Sequence, residues 1–276
     1  MVSSSVSILS SVPKPPDLNR HVKLDYKLED IWQWVGSKMF YNKILGYKGP
    51  FDLDLSNKAD KAVKLYNDVE EVKQFVLDQH NNLMTPKAVY QFFKCSKKAE
   101  TIFIHNNYTD DAEKRIIASF NFPRQQGKSS LCLSDYVHPE CDYIGMFANS
   151  SGELVNETAE KLRDDGEFKN SFILQALGLA TAEALAELVH YDMRTMWGFK
   201  DRDTLSKNDV MLGRYQGSRY SFGYPACPNL EDQEILWKLL RPDEIGIGLT
   251  EGFMMEPEAS VSALVFHHPE AKYFSV

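Results

Sequence analysis

One segment constrains the fold more than any other. From about Asn170 to Trp197 the chain runs through ILQALGLATAEALAELV, built almost wholly of good helix formers and almost wholly apolar. It predicts a helix of roughly 28 residues, about 42 Å long at ~1.5 Å per residue, with Asn170 or Ser171 at its N-cap. A helix apolar around so much of its circumference has to be buried. Its charge-free part, Asn170 to Ala182, falls short of the roughly 20 residues a membrane span needs. The reading is a core helix and no membrane association.

The partners for that helix are short runs rich in β-branched and aromatic residues. AVYQFFKC (88–95), TIFIH (101–105) and IIASFNF (116–122) read as strands, and CLSDYV followed by CDYIGMFAN continues the pattern around a turn at His138-Pro139. A short amphipathic helix is predicted from Lys27, carrying Ile31, Trp32, Trp34 and Val35, and a longer one from Ala59 to Gln79. After a polar connection from Lys200 to Asp209 come an irregular segment (214–228), a helix near Asp232 to Leu240, and two further strands, ASVSALVFHH and KYFSV. Strands and helices without a regular βαβ beat predict an α+β fold, a mixed or antiparallel central sheet covered by helices. Residues 1–20, with a serine-rich start and Pro13, Pro15 and Pro16, read as a flexible tail or linker, and 21–276 as one domain.

Composition narrows the function. Thirty-one lysines and arginines against 39 acids leave a formal charge of −8, a poor balance for displacing counterions from nucleic acid. Cys95, Cys132, Cys141 and Cys227 form no C-x-x-C pair, so neither a zinc knuckle nor a disulfide framework is expected, and a reducing cytoplasm is the simpler setting. The sequence has no G-x-G-x-x-G, P-loop, G-x-S-x-G or H-E-x-x-H motif, and no nucleophile with its base stands out. No catalytic side chain and no metal site are expected.

Two places carry recognisable chemistry. Glu183, Glu187, His190 and Arg194, at spacings of 4, 3 and 4, form one polar stripe on the long apolar helix. That stripe faces either solvent, where His190 and Arg194 help to neutralise the acids, or a ligand cavity, where Glu183 would meet an ammonium group. The segment RYQGSRYSFGYPACP holds two arginines, three tyrosines, two glycines and two prolines, a kinked backbone displaying aromatic rings. Arg219 within it suits either a ligand carboxylate or a local acid. The histidines of His267-His268, expected in a strand, point to opposite faces and do not share a metal. Arg124 in FPRQQ is expected at a strand end in a solvated turn.

RYQGSRYSFGYPACPNLEDQ (214–233) resembles the signature of the C-terminal activation domain of cobalamin-dependent methionine synthase, where an R-x-x-x-G-Y-P-A-C-P loop binds S-adenosylmethionine. The resemblance extends from about Lys27 to Val276. VPKPP is similar to that family's linker after the cobalamin-binding domain, FPRQQ and CLSDYV…DYIGMFA to central strands, AEALAELVH to its long helix, and HHPEAKYFSV to its last strand. Carried over by position, the resemblance implies that Arg219 holds the carboxylate of S-adenosylmethionine and Glu183 meets its ammonium end. Ser221, Gly223 and Tyr224 would shape the loop around the ligand, and Tyr273 would pack beside it. One position departs from the pattern: where the family carries an acid in Y-I-D-W-T-P-F-F, the aligned stretch Trp34 to Tyr41 has Gly36, so that contact is missing or comes from Glu29 or Asp30.

The resemblance also implies a role. In the family, S-adenosylmethionine and one electron from a flavodoxin-type donor return cob(II)alamin to methylcobalamin. A chain of 276 residues has no room for the homocysteine, folate and cobalamin modules of a complete synthase. The expectation is a separate subunit or C-terminal part that reactivates a cobalamin-carrying partner module and is inactive as a methyltransferase without it. The alternative is a module that binds S-adenosylmethionine or docks on a corrinoid protein without methyl transfer.

Overall fold

The computed structural model of the chain describes residues 6–78, 83–108, 115–126, 130–199, 201, 204–206, 209–210 and 212–276. Gln79, the expected end of one helix, and much of the 200–209 connection lie outside them, as do residues 1–5 of the N-terminal stretch.

Two strands dominate the sheet. β2 (Lys87–Lys98) and β5 (Asp142–Ser150) pair antiparallel, with Lys87 opposite Ser150 and Cys95 opposite Asp142. The other edge of β2 is shared: β1 (His21–Lys23) takes its first part and β3 (Thr101–His105) its last, and β4 (Ile116–Asn121) follows outside β3. Beyond β5 lie β9 (Ser260–Phe266) and, at the edge, β6 (Ser218–Tyr220). The order β4-β3-β2-β5-β9-β6, with β1 beside β2, is antiparallel at every pairing, and β7 (Gly248–Leu249) with β8 (Met255–Glu256) forms a separate small ribbon.

The apolar runs in these strands reflect burial of the sheet on both faces. In β5, Ile144, Met146 and Ala148 turn to one side and Phe147 to the other; in β9, Leu264 and Phe266 oppose Ala263 and Val265. The first side is closed by α6 (Gln233–Leu240) through Leu236 and Leu240, the second by α5 (Phe168–Trp197) through Leu185, Val189, Met193 and Trp197. Gly145 in β5 makes room for the end of the Met193 side chain of α5: a Cβ there would lie 2.6 Å from Met193 Cε and 3.1 Å from Val265 Cβ. A further core forms between α3 (Asp60–Asp78), α4 (Leu154–Asp164), the first half of α5 and the aromatic residues Phe40, Tyr41 and Phe51. Phe40 and Tyr41 lie on a wide helical turn, Lys38–Ile44, between α1 (Leu28–Trp32) and α2 (Phe51–Ser56), which begins at Phe51.

The expected long helix is present and slightly longer, at 30 residues. Its length and apolarity are those of a membrane-crossing helix, but 67% of its most apolar window is buried inside the protein. Neither Asn170 nor Ser171 caps it. The N-cap is Glu167, and the Ser171 hydroxyl instead donates to Ala159 O of α4 at 2.6 Å.

Other local expectations are corrected. The CLSDYV stretch is a short 3-10 turn, Leu133–Tyr136, and 122–126 is irregular rather than strand. KYFSV has no strand assignment and pairs with no strand among the described residues, and Trp34 and Val35 lie past the end of α1. Arg124 is not in a solvated turn: it donates to Glu100 at 2.8 Å, to Ser130 O at 2.7 Å and through two nitrogens to Asp135 at 2.9 and 3.1 Å. His267 and His268 lie just beyond β9; His267 pairs with Asp142 at 2.7 Å and His268 reaches Ser7 O at 3.1 Å. The stretch read as a flexible tail carries contacts over its described part. Pro13 O accepts from the Trp197 indole and Leu18 O from Gln91, both at 2.9 Å, while Arg20 pairs with Glu244.

Arg124→Met strands the Asp135 carboxylate in a poorly hydrated site, and we expect a loss of about 2–4 kcal/mol, less than for a wholly buried pair because Arg124 keeps some exposure. Urea unfolding checks this as a lower midpoint at unchanged slope; a shift under about 0.5 kcal/mol would place Arg124 among ordinary surface pairs.

Candidate functional site

The sheet edge at β6 faces the middle of α5, and the candidate site lies where they meet. β6 continues the sheet from β9, with Arg219 opposite Val265. Gly217 admits the chain into β6: its φ is +82°, and a Cβ would come within 2.6 Å of Phe266 O. Beyond β6 the backbone folds into a tight turn, Gly223 N–H donating to Cys227 O at 2.9 Å and Cys227 N–H to Tyr224 O at 2.8 Å. This turn, the start of α6 and β9 enclose a cleft of about 540 Å³.

All six residues expected from the sequence line that one cleft: Glu183, Arg219, Ser221, Gly223, Tyr224 and Tyr273. Tyr224 and Tyr273 expose their rings, and the Tyr273 hydroxyl donates to Arg219 O at 2.7 Å, tying the C-terminal stretch to the arginine strand. The sequence reading missed Phe222, Gln233, Met254 and Ser262 on the same walls. Gln233 braces two of those walls, accepting from the Ser262 hydroxyl at 2.7 Å and donating to Phe253 O at 2.6 Å. The position of Gln233 at the start of α6 was its only sequence signal.

The polar stripe of α5 is graded rather than exposed along its length. The Glu183 side chain is 60% exposed and that of Glu187 is 14%, while His190 and Arg194 are fully buried. The solvent-edge reading therefore fails for its lower half. Arg219 reaches up to this stripe, its Nη1 donating to Glu187 Oε2 at 2.6 Å and its Nη2 lying 3.4 Å from Glu183 Oε2. Burial opposes the Arg219 charge, but Glu187, Tyr215 and Glu183 outweigh it and raise the pKa above the ordinary value. Burial raises the Tyr273 hydroxyl pKa, against the lowering effect of Arg219.

Below the acids, Arg194 forms a two-point pair with Asp201 at 2.8 and 3.1 Å and stacks 3.6 Å over the Tyr215 ring. The His190 ring meets Tyr215 edge-on, and neither of its nitrogens has a hydrogen-bond partner among the described residues. Burial, followed by the charges of Arg194 and Arg219, pushes the His190 pKa well below 6.5.

A second, more apolar groove of about 390 Å³ adjoins the cleft and shares Glu183 and Arg219 with it. Gly36 lines this groove with Trp34, Met39 and Leu179. Glu29, one suggested substitute for the acid absent at position 36, lies in a different groove beside Trp32 and Lys73. The second acid that meets Arg219 is Glu187, from α5.

Residues 27–276 match the family described as "Vitamin B12 dependent methionine synthase, activation domain". Methionine synthase of Mycobacterium tuberculosis (strain ATCC 25618 / H37Rv) is 34% identical over 202 residues, 68% of this chain and 17% of the relative. That of Mycobacterium leprae (strain TN) is 32% identical over 215 residues, 72% of this chain and 18% of the relative. The chain thus spans less than a fifth of either relative's length. A solved structure described as the MetH reactivation domain bound to AdoHcy superposes with a TM-score of 0.86 at 26% identity, covering 96% of this chain and 83% of that one.

His190 gives the site a pH signature. The unfolded chain takes up this proton near pH 6.5 whereas the folded chain resists it, so the stability His190 contributes is complete above that pH and is lost as the pH falls. Between pH 6.5 and 5.5 the loss is about 1 kcal/mol. Urea unfolding at the two pH values should show His190→Leu reducing the pH-dependent loss by about that amount; an unchanged dependence would mean that the ring takes up its proton as readily in the folded chain as in the unfolded one.

Proposed function

The chain belongs to the activation-domain family of vitamin B12 dependent methionine synthase, and from that premise we propose that its cleft binds S-adenosylmethionine and presents the methyl group to a cobalamin carried by a partner module. The observation that carries the reading is the convergence of Glu183, Arg219, Ser221, Gly223, Tyr224 and Tyr273 on one cleft, with a guanidinium and an exposed carboxylate side by side. A zwitterionic amino-acid end asks for that pair, and a cleft of about 540 Å³ lies within the common range for small-molecule sites. The solved relative bound to AdoHcy, the demethylated form of this ligand, supports the reading.

The chemistry asks little of acid–base groups. The S–CH₃ bond of a sulfonium breaks, a Co–CH₃ bond forms, and a neutral thioether remains. A one-electron donor of flavodoxin type supplies the reduction that makes the cobalt nucleophilic. The contribution of this chain is positioning: Arg219 and Glu183 fix the amino-acid end, the 221–224 turn and Tyr273 hold the remainder, and the exposed tyrosine rings suit a sulfonium cation. Methyltransferase activity thus belongs to the assembly with a cobalamin module, whether that module lies on the same polypeptide or another one. The setting proposed is the cytoplasm, with neither nucleic acid nor membrane as a partner.

Calorimetric titration of the chain with S-adenosylmethionine should be saturable, and Arg219→Ala should weaken it by about tenfold or more, the value of a charge-assisted contact. Equal affinity in the variant, or no heat at millimolar ligand, would contradict the assignment.

A further inference from the structure

The two acids that meet Arg219 are not equivalent. Glu187 is mostly buried and makes the short contact, 2.6 Å from Oε2 to Nη1, whereas Glu183 is mostly exposed and stands at 3.4 Å. Glu187 is also enclosed from behind. The Tyr215 hydroxyl lies 3.5 Å from Oε2, and Arg194 Nη1 is 3.9 Å from Oε1. Arg194 is itself pinned by Asp201 and by its stacking on Tyr215. Oε1 of Glu187 is buried and accepts no hydrogen bond from the described residues. Two restrained neighbours therefore flank one carboxylate, and that carboxylate takes the guanidinium.

We propose that Glu187 is a positioning residue: by taking the short contact of Arg219 it leaves Glu183 only the long one at 3.4 Å, so that an arginine edge and a weakly held carboxylate face the cleft together. The inference rests on the function proposed above. With Glu187 present, one guanidinium faces two carboxylates, and the exposed one is in surplus and available to an ammonium group. With Glu187 removed, Arg219 and Glu183 are a matched pair already within 3.4 Å, with no second acid competing for the mostly buried guanidinium. They close on each other, and a zwitterionic ligand then has to break an ion pair to bind. Glu187 touches neither end of the ligand in this account and acts through Arg219.

The test uses the 276-residue chain and two probes, S-adenosylhomocysteine and 5′-methylthioadenosine, which shares the adenosine and thioether but lacks the amino-acid end. Glu187→Ala should weaken S-adenosylhomocysteine by about tenfold or more while leaving 5′-methylthioadenosine within about twofold, because only the former meets the charged pair. Glu187→Gln, which keeps the shape and protects against a folding artefact, should shift the two ligands in the same unequal way. In the Glu187→Ala background, adding Glu183→Gln should cost less than it does in the unmodified chain, since Arg219 has already consumed that carboxylate. Equal weakening of both probes in both variants, or unchanged S-adenosylhomocysteine binding, would overturn the role of Glu187 while leaving the cleft assignment in place. An unmodified chain that binds neither probe would overturn the cleft assignment and the role of Glu187 with it.

Discussion

The packing of α5 across the sheet is the contact on which the rest depends. Glycine at position 145 leaves room on β5 for the end of the Met193 side chain, which packs there with Leu185, Val189 and Trp197. That packing fixes the height of every residue on the helix relative to the β6 edge. It sets Glu187 in contact with Arg219 and leaves Glu183 one turn farther along, at the mouth of the cleft. A small shift of α5 would change both distances, and a charge-assisted contact weakens steeply with distance and angle. The hydrophobic core and the electrostatics of the site are therefore parts of the same arrangement.

The polar residues of α5 illustrate how a buried charge is tolerated. Arg194 is wholly buried, yet its charge is met by a two-point pair with Asp201 and by the face of Tyr215. His190 takes the other course and has its pKa driven down by burial, with the two arginines adding to the effect. Arg194 stands 3.9 Å from Glu187, and both it and His190 pack against Tyr215. The charges become less enclosed toward Glu183, the end of the stripe open to the cleft.

Much of the site was legible in the sequence because its residues carry distinctive chemistry at close spacing. Arg219, Ser221, Gly223 and Tyr224 sit within one irregular loop, and Glu183 interrupts an apolar helix. Gln233 and Ser262 were not legible, since each is an ordinary residue whose partner, 29 positions away, is brought near only by the tertiary fold. The sheet was recognisable from its apolar runs, and the family from the GYPACP and AEALAE motifs. Local errors arose where tertiary partners overrode pattern. CLSDYV has strand-like composition, but Asp135 turns back to accept from Cys132 N–H and pairs with Arg124, which stabilises a 3-10 turn. Ser171 has the chemistry of a cap but spends its hydroxyl on α4. The prolines of the N-terminal stretch suggested a loose tail because main-chain acceptors such as Pro13 O and Leu18 O, which hold that stretch to the domain, leave no mark in side-chain composition.

The central claim is that the amino-acid end of S-adenosylmethionine lies between Arg219 and Glu183. A crystal structure of the chain with S-adenosylhomocysteine tests it most directly. The account predicts the ligand carboxylate on Arg219, the ammonium on Glu183 and the Glu187–Arg219 contact retained. A ligand seated elsewhere, or one whose amino-acid end points away from Arg219 while Arg219 and Glu183 remain paired, would contradict it.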